Sequence, residues 1–109
     1  MLPNLNPAWS VHAAGFQSSD GIVAVLDPAS ANVVSITRTG AGVYDILLGS
    51  AIDPNDGIFI PSPFSESGTV IFFSLIAITD TLVTLNITNG AVAQTDEIFK
   101  FIYFRFRVP

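Results

Sequence analysis

The side chains able to do chemistry are few and scattered. His12 is the only histidine among 109 residues. A nucleophilic triad would need it beside a serine and a carboxylate. Ser10 is its near neighbour, but residues two apart on a strand share a face without triad geometry. A structural or solvated histidine is the simpler reading. Asp53-Pro54-Asn55-Asp56-Gly57 has the oxygen density of a calcium loop. Such a loop places glycine sixth and a bidentate Glu further on. Here glycine comes fifth and Glu66 belongs to a separate loop, so a turn is expected. Asp20, Asp27, Asp45, Asp80, Asp96 and Glu97 could pair as the acid and base of a glycosidase. Most fall in turn segments, where Asp bonds the local backbone. Asp45 alone falls inside an expected strand, with Arg38 across the same hairpin, which predicts a cross-strand ion pair.

Binding chemistry is more plentiful. Arg105 and Arg107 alternate with aromatics, and guanidinium groups both stack on rings and grip carboxylates. Capture of a sialic-acid-like carboxylate is their functional reading, and ion pairing at a subunit boundary is the plainer one. Trp9 and Tyr44 could stack on a sugar ring, against an ordinary role in packing. Trp9, Tyr44 and Arg107 are therefore the candidate ligand contacts. Asn86-Ile87-Thr88 matches the glycosylation sequon and also reads as the wet face of a strand. No catalytic residue, cofactor or metal is expected.

Composition narrows the partners. Four basic residues and a formal net charge of -5 leave no basic patch for phosphates, so no nucleic-acid partner is expected. Charged residues make up 12% of the chain, about half the ordinary share. Mean hydropathy is +0.57. Much of the surface must then be neutral-polar or covered by another chain. There are no cysteines, which excludes disulfides and thiolate chemistry. Residues 1–7, with two prolines and two asparagines, read as an arm or linker and lack the features of a signal peptide. The apolar run Val70 to Ile78 is too short for a membrane helix, so no membrane insertion is expected. The length fits one domain, over residues 8–109.

The elements that would position these groups are short strands. Trp9 to Ala13 alternates weakly and could open the fold. Ser18-Ser19-Asp20-Gly21 is a turn cluster, and Ile22 to Leu26 reads as a short strand. Val33 to Arg38 and Val43 to Leu48 flank Thr39-Gly40-Ala41-Gly42, the clearest hairpin signal in the chain. Ile58 to Ile60 reads as a strand stopped by Pro61 and Pro63. Thr69 to Thr79 is apolar on both faces. Leu82 to Thr88 alternates apolar with polar, and Asn89-Gly90 is a turn signal. No stretch shows helical periodicity. The expected fold is all-β, an antiparallel β-sandwich of seven or eight strands, with a jelly-roll-like arrangement as one form.

The closing strand, Phe99 to Val108, has no polar face. Phe99, Phe101, Tyr103, Arg105 and Arg107 share one side, and Lys100, Ile102, Phe104, Phe106 and Val108 share the other. One side can fill the chain's own core. The other needs a second cover, and another copy of the chain would supply it. Phe99, Phe101, Ile102, Tyr103, Phe104 and Arg105 are accordingly the expected oligomer interface.

The hairpin Asn32 to Tyr44, the Ala8-Trp9 pair and the phenylalanine-rich ending Phe99-Lys100-Phe101 resemble small C-terminal β-sandwich domains of phage tail-fibre-like and virion appendage proteins. Related modules follow collagen-like stalks. The middle, Ile58 to Phe73, is more apolar and richer in proline than that pattern. The resemblance implies a homotrimeric structural or receptor-binding module of a virion or extracellular appendage. Its loops would meet a host-surface glycan or protein receptor, and it implies no catalytic residues. A carbohydrate-binding β-sandwich is the alternative. With one histidine, no cysteine and a mismatched aspartate loop, a chelator is expected to leave the melting temperature unaltered.

Overall fold

The computed structural model describes residues 9–19, 21–64, 71–89 and 95–106. The expected arm, Arg107 and Val108 lie outside the described residues. Seven strands form: β1 (Trp9–Gln17), β2 (Val33–Gly40), β3 (Val43–Leu48), β4 (Gly57–Phe64), β5 (Ile71–Ile78), β6 (Leu82–Asn89) and β7 (Ile98–Phe106). They make two antiparallel sheets, a three-stranded one in the order β1-β7-β4 and a four-stranded one in the order β2-β3-β6-β5. Facing sides of the two sheets make the core, as in a β-sandwich. Among the described residues no helix is long and apolar enough to cross a membrane.

Alternation sets which side chains enter the core. β6 buries Val83, Leu85 and Ile87 and turns Thr84, Asn86 and Thr88 outward. β3 buries Tyr44, Ile46 and Leu48. From the opposite sheet β7 contributes Phe99, Phe101 and Tyr103, all buried. Phe59 of β4 stacks on Phe101 at 5.1 Å and meets Tyr103 edge-on at 5.6 Å. These rings fit because the flanking strands carry glycine beside them. A Cβ on Gly15 of β1 would enter the Phe101 ring, and one on Gly57 of β4 would enter the Tyr103 ring.

Two expected features differ from the structure. Ile22 to Leu26 forms no strand; Ile22 and Val23 stay exposed, and the only pairing is an isolated bridge from Leu26 to Gln17. The segment runs along the free side of β1, where the Ser18 N–H donates to the Val25 carbonyl at 3.0 Å and the Asp27 N–H to the Phe16 carbonyl at 2.9 Å. Apolar content suggested a strand, but its backbone is used to cover an edge. β4 also continues through Pro61 and Pro63 to Phe64. It lies at the edge of its sheet, and there a missing N–H costs no ladder bond.

The hairpin between β2 and β3 closes through Ala41 and Gly42, and Gly42 has φ +70°. That left-handed backbone is strained for any residue with a Cβ. A Cβ there would also collide with the Ile87 carbonyl and the Thr95 backbone, whereas one on Gly40 would meet nothing. Gly42→Val is expected to cost at least about 2 kcal/mol and to lower the melting temperature by about 10 °C or more. Gly40→Val should stay within about 0.5 kcal/mol of wild type. Equal losses from the two variants in thermal melts would contradict this account of the turn.

Candidate functional site

The outward side of the three-stranded sheet is the most unusual surface of the molecule. Register places Val11 opposite Phe104, and Phe104 opposite Ile58; Ile102 lies opposite Ile60. Val11, Ile58, Ile60 and Ile102 keep between 41% and 57% of their surface exposed. Trp9 extends the face at one end, edge-on to Phe106 at 4.8 Å. At the other end the Lys100 ammonium sits 5.1 Å from the centre of the Phe16 ring. Lys100 is the one charged group among the described residues of this face. The outward side of the four-stranded sheet is polar by comparison, with Thr37, Asp45 and Thr84 on it. A contiguous apolar sheet face of this kind is characteristic of an interaction surface.

The expected interface residues divide between two places. Ile102 and Phe104 lie on this face, Ile102 exposed and Phe104 half-buried. Phe99, Phe101 and Tyr103 do not; they are consumed by the chain's own core, because the glycines of β1 and β4 leave room only on the inner side. Arg105 points to the inner side at the strand's end, opposite Ser10 and Gly57, and is exposed there. Of the candidate ligand contacts, Tyr44 is fully buried, edge-on to Phe99 at 5.1 Å, and so offers no ring to a sugar. Trp9 remains partly exposed, but its neighbours are apolar.

Arg38 does not pair with Asp45. The register sets Thr37 opposite Asp45 and Arg38 opposite Tyr44, which puts the two charges on opposite faces. Asp45 instead accepts from the Thr84 hydroxyl at 2.7 Å. Arg38 donates through Nε to Asp96, 58 residues away, at 2.8 Å. The same Asp96 oxygen accepts from the Gly42 N–H at 2.8 Å and the Tyr44 hydroxyl at 3.3 Å. One carboxylate thus ties the hairpin to the segment that leads into β7. Burial works to raise the Asp96 pKa, but the bonds from Arg38, Gly42 and Tyr44 outweigh it and hold the carboxyl below its ordinary range. The bond to Asp96 raises Arg38 further. Burial, followed by the Asp96 charge, pushes Tyr44 up to about 12.

His12 occupies the extra position of a bulge in β1, between Val11 and Ala13. Its Nε2 lies 3.0 Å from the Ser50 carbonyl, an acceptor, so Nε2 carries the proton. Asn32, at φ 58°, donates to the His12 carbonyl at 2.8 Å and to the Ser50 hydroxyl at 2.9 Å. The Gly49 N–H donates to the Asn32 carbonyl at 2.9 Å. This cluster knits three segments together. With Nε2 donating to a carbonyl, it cannot take a proton from a serine hydroxyl. Asp53 accepts from the Asn55 N–H at 2.9 Å and caps the 3-10 turn Pro54–Asp56, the local role expected of that segment. Among the described residues no three His, Cys, Asp or Glu side chains gather as metal ligands.

Among the described residues Gln17 is a fully buried polar side chain that sequence reasoning did not single out. Its amide is satisfied on both ends: Nε2 donates to the Ser19 carbonyl and to the Glu97 carbonyl at 2.9 Å, while Oε1 accepts from the Ser19 N–H at 2.8 Å and the Val25 N–H at 3.1 Å. Its signal in the sequence is only a polar residue in phase with Ala13 and Gly15, the inward positions of β1.

Comparison with known protein families, curated proteins and solved structures finds no match for this chain.

The depressed Asp96 pKa fixes a pH dependence. Its contribution to stability is full above the unfolded value, near 3.8, and is lost as pH falls through the lower folded value. Asp96→Asn is expected to be less stable than wild type at neutral pH, and the gap should narrow under acid conditions. Urea unfolding at neutral and at strongly acid pH checks this; a gap that does not change with pH would remove the charge from the account.

Proposed function

We propose that this protein is a non-enzymatic structural module that works as an assembly of its own copies and presents its loops for attachment. The observation that carries this reading is the outward face of β1, β7 and β4. Soluble monomers seldom leave a sheet face of this size and apolarity in water. Burial of apolar surface stabilises association by about 25 cal/mol per Å². A copy of the same face is a suitable cover, because it brings no unmatched charge into the centre; Lys100 lies at the margin. Closed rings are the usual outcome for identical subunits. The resemblance to appendage domains favours three copies and a place in a virion or fibre, with a host glycan or protein receptor at the loops.

The reading of a carbohydrate-binding module loses its Tyr44 platform to burial and keeps only Trp9. An enzyme would need facing carboxylates. Asp45, Asp53 and Asp96 are instead each engaged with a different hydrogen-bond donor, Thr84, the Asn55 N–H and Arg38 respectively.

Light scattering of the wild-type chain is expected to give the mass of a small closed oligomer, three copies in this proposal. Ile102→Asp with Ile60→Asp should weaken association by about 100-fold or more, since each isoleucine contributes roughly 1.5–3 kcal/mol on burial. Circular dichroism of the variant should stay that of the wild type, because both side chains lie outside the core. A wild-type chain that remains monomeric at high concentration would overturn the proposal.

A further inference from the structure

A ring of three copies sets a condition on the surfaces that meet. A flat sheet face laid on itself is a two-fold contact and closes at two copies. Three copies close only through a head-to-tail contact, in which the face of one meets a different surface of the next. That second surface has to flank the face, because surfaces on opposite sides of a molecule stack into an open fibre rather than a small ring. The outward face of β1, β7 and β4 has two margins, one beside β1 and one beside β4.

The margin beside β1 ends in an apolar ridge. Ile22 and Val23 keep 77% and 73% of their surface exposed, more than any other large apolar side chain among the described residues, and Val25 keeps 47%. The ridge is anchored. Ala24 and Leu26 pack against the core, the Ser18 N–H donates to the Val25 carbonyl at 3.0 Å, and Leu26 bridges to Gln17. The segment ends at Asp27, whose N–H donates to the Phe16 carbonyl at 2.9 Å and whose carboxylate accepts from the Ala29 N–H at 2.8 Å. Phe16 lies opposite Lys100, so the base of the face stands at this same end of the sheet. Beyond the other margin, Phe73 and Leu75 of β5 are also partly exposed, but Ile71–Ile78 has no charge to set against Lys100.

We infer that the ridge Ile22, Val23 and Val25 of each copy seats on the outward β1, β7 and β4 face of the next, closing three copies head to tail. The inference rests on the three-copy assembly proposed above and names the surfaces that make it. A copy of the chain fits as occupant because each copy then gives one ridge and receives one, so a single contact repeated three times covers both apolar surfaces. A contact of the face alone would leave Ile22 and Val23, the most exposed of these side chains, in water. Charge selects the ridge over β5. Asp27 ends the ridge and Lys100 stands at the margin of the face, so the contact joins opposite charges at its rim.

The chain has no cysteine, so introduced thiols report contact between copies without competition. With Val23→Cys and Ile102→Cys in one chain, mild oxidation is expected to give disulfide-linked species of two and three copies and none larger. Linkage should be about tenfold or more faster than in either single variant, since thiols held together in a closed assembly react at high effective concentration. Ile22→Asp with Val23→Asp should bring the mass of three copies down to that of one. Circular dichroism should stay that of the wild type, because both side chains lie outside the core. If the wild-type chain is not a trimer, the three-copy assembly and this contact fall together. If it is a trimer, an unchanged mass for Ile22→Asp with Val23→Asp overturns the contact alone. So does linkage of Ile102→Cys by itself as fast as that of the double variant, or faster linkage when Phe73→Cys takes the place of Val23→Cys.

Discussion

The structure depends on one steric constraint, the fit of the β7 aromatics between two glycines. β7 is the centre of its sheet, so its inner side chains face the middle of the sandwich. Phe101 lies between Gly15 and Pro61, and Tyr103 between Ala13 and Gly57, so each large ring has one neighbour without a side chain. Gly15 and Gly57 remove a Cβ where Phe101 and Tyr103 lie. With the rings seated, Phe59 and Tyr44 close on them edge-on or stacked. The other side of β7 is then committed to face outward, with Ile102 and Phe104 on it. The core and the apolar outer face are thus two consequences of a single placement. That placement leaves one polar group without a partner among the described residues, the buried Tyr103 hydroxyl, and burial raises its pKa.

Polar nodes hold the strands around this centre. Asp96 anchors the β2–β3 hairpin through Arg38, Gly42 and Tyr44. Gln17 joins the end of β1 to the segment before β7 and to the loop along the β1 edge. Asn32 and His12 fasten β1 to the chain after β3. In each case side chains satisfy backbone groups where the ladders stop, as buried or half-buried polar backbone requires. These are scaffolding roles for side chains that could otherwise serve chemistry.

The two outer faces then diverge in character. The four-stranded sheet shows water Thr and Asp side chains among Leu47 and Phe72, while the three-stranded sheet shows it almost wholly isoleucine, valine and aromatic rings. An all-antiparallel sandwich needs only one buried face per sheet. A second apolar face is surplus to folding. Surplus apolar surface is what association uses, and this is the physical ground of the proposal that the molecule is a subunit.

The sequence alone determined most of the elements. Period-two alternation gave β3 its limits, Val43–Leu48, and placed β6 to within one residue. Turn chemistry located the left-handed glycine within Thr39 to Gly42. Local rules suffice there, because side-chain direction and turn geometry are settled by nearest neighbours. The tertiary structure decided the rest. Alternation divides Phe99 to Phe106 into two sets but cannot say which set faces inward; Gly15 and Gly57, both more than forty residues earlier in the chain and on the two strands that flank β7, settle it. Ile22 to Leu26 has a strand's composition and becomes the cover of an edge. Pro61 and Pro63 are tolerated because β4 is at an edge. Arg38 finds Asp96 rather than Asp45, because strand register puts the nearer carboxylate on the wrong face. Each of these outcomes depends on which segments meet in space, and a pairing between distant segments leaves no mark in the local pattern of either one.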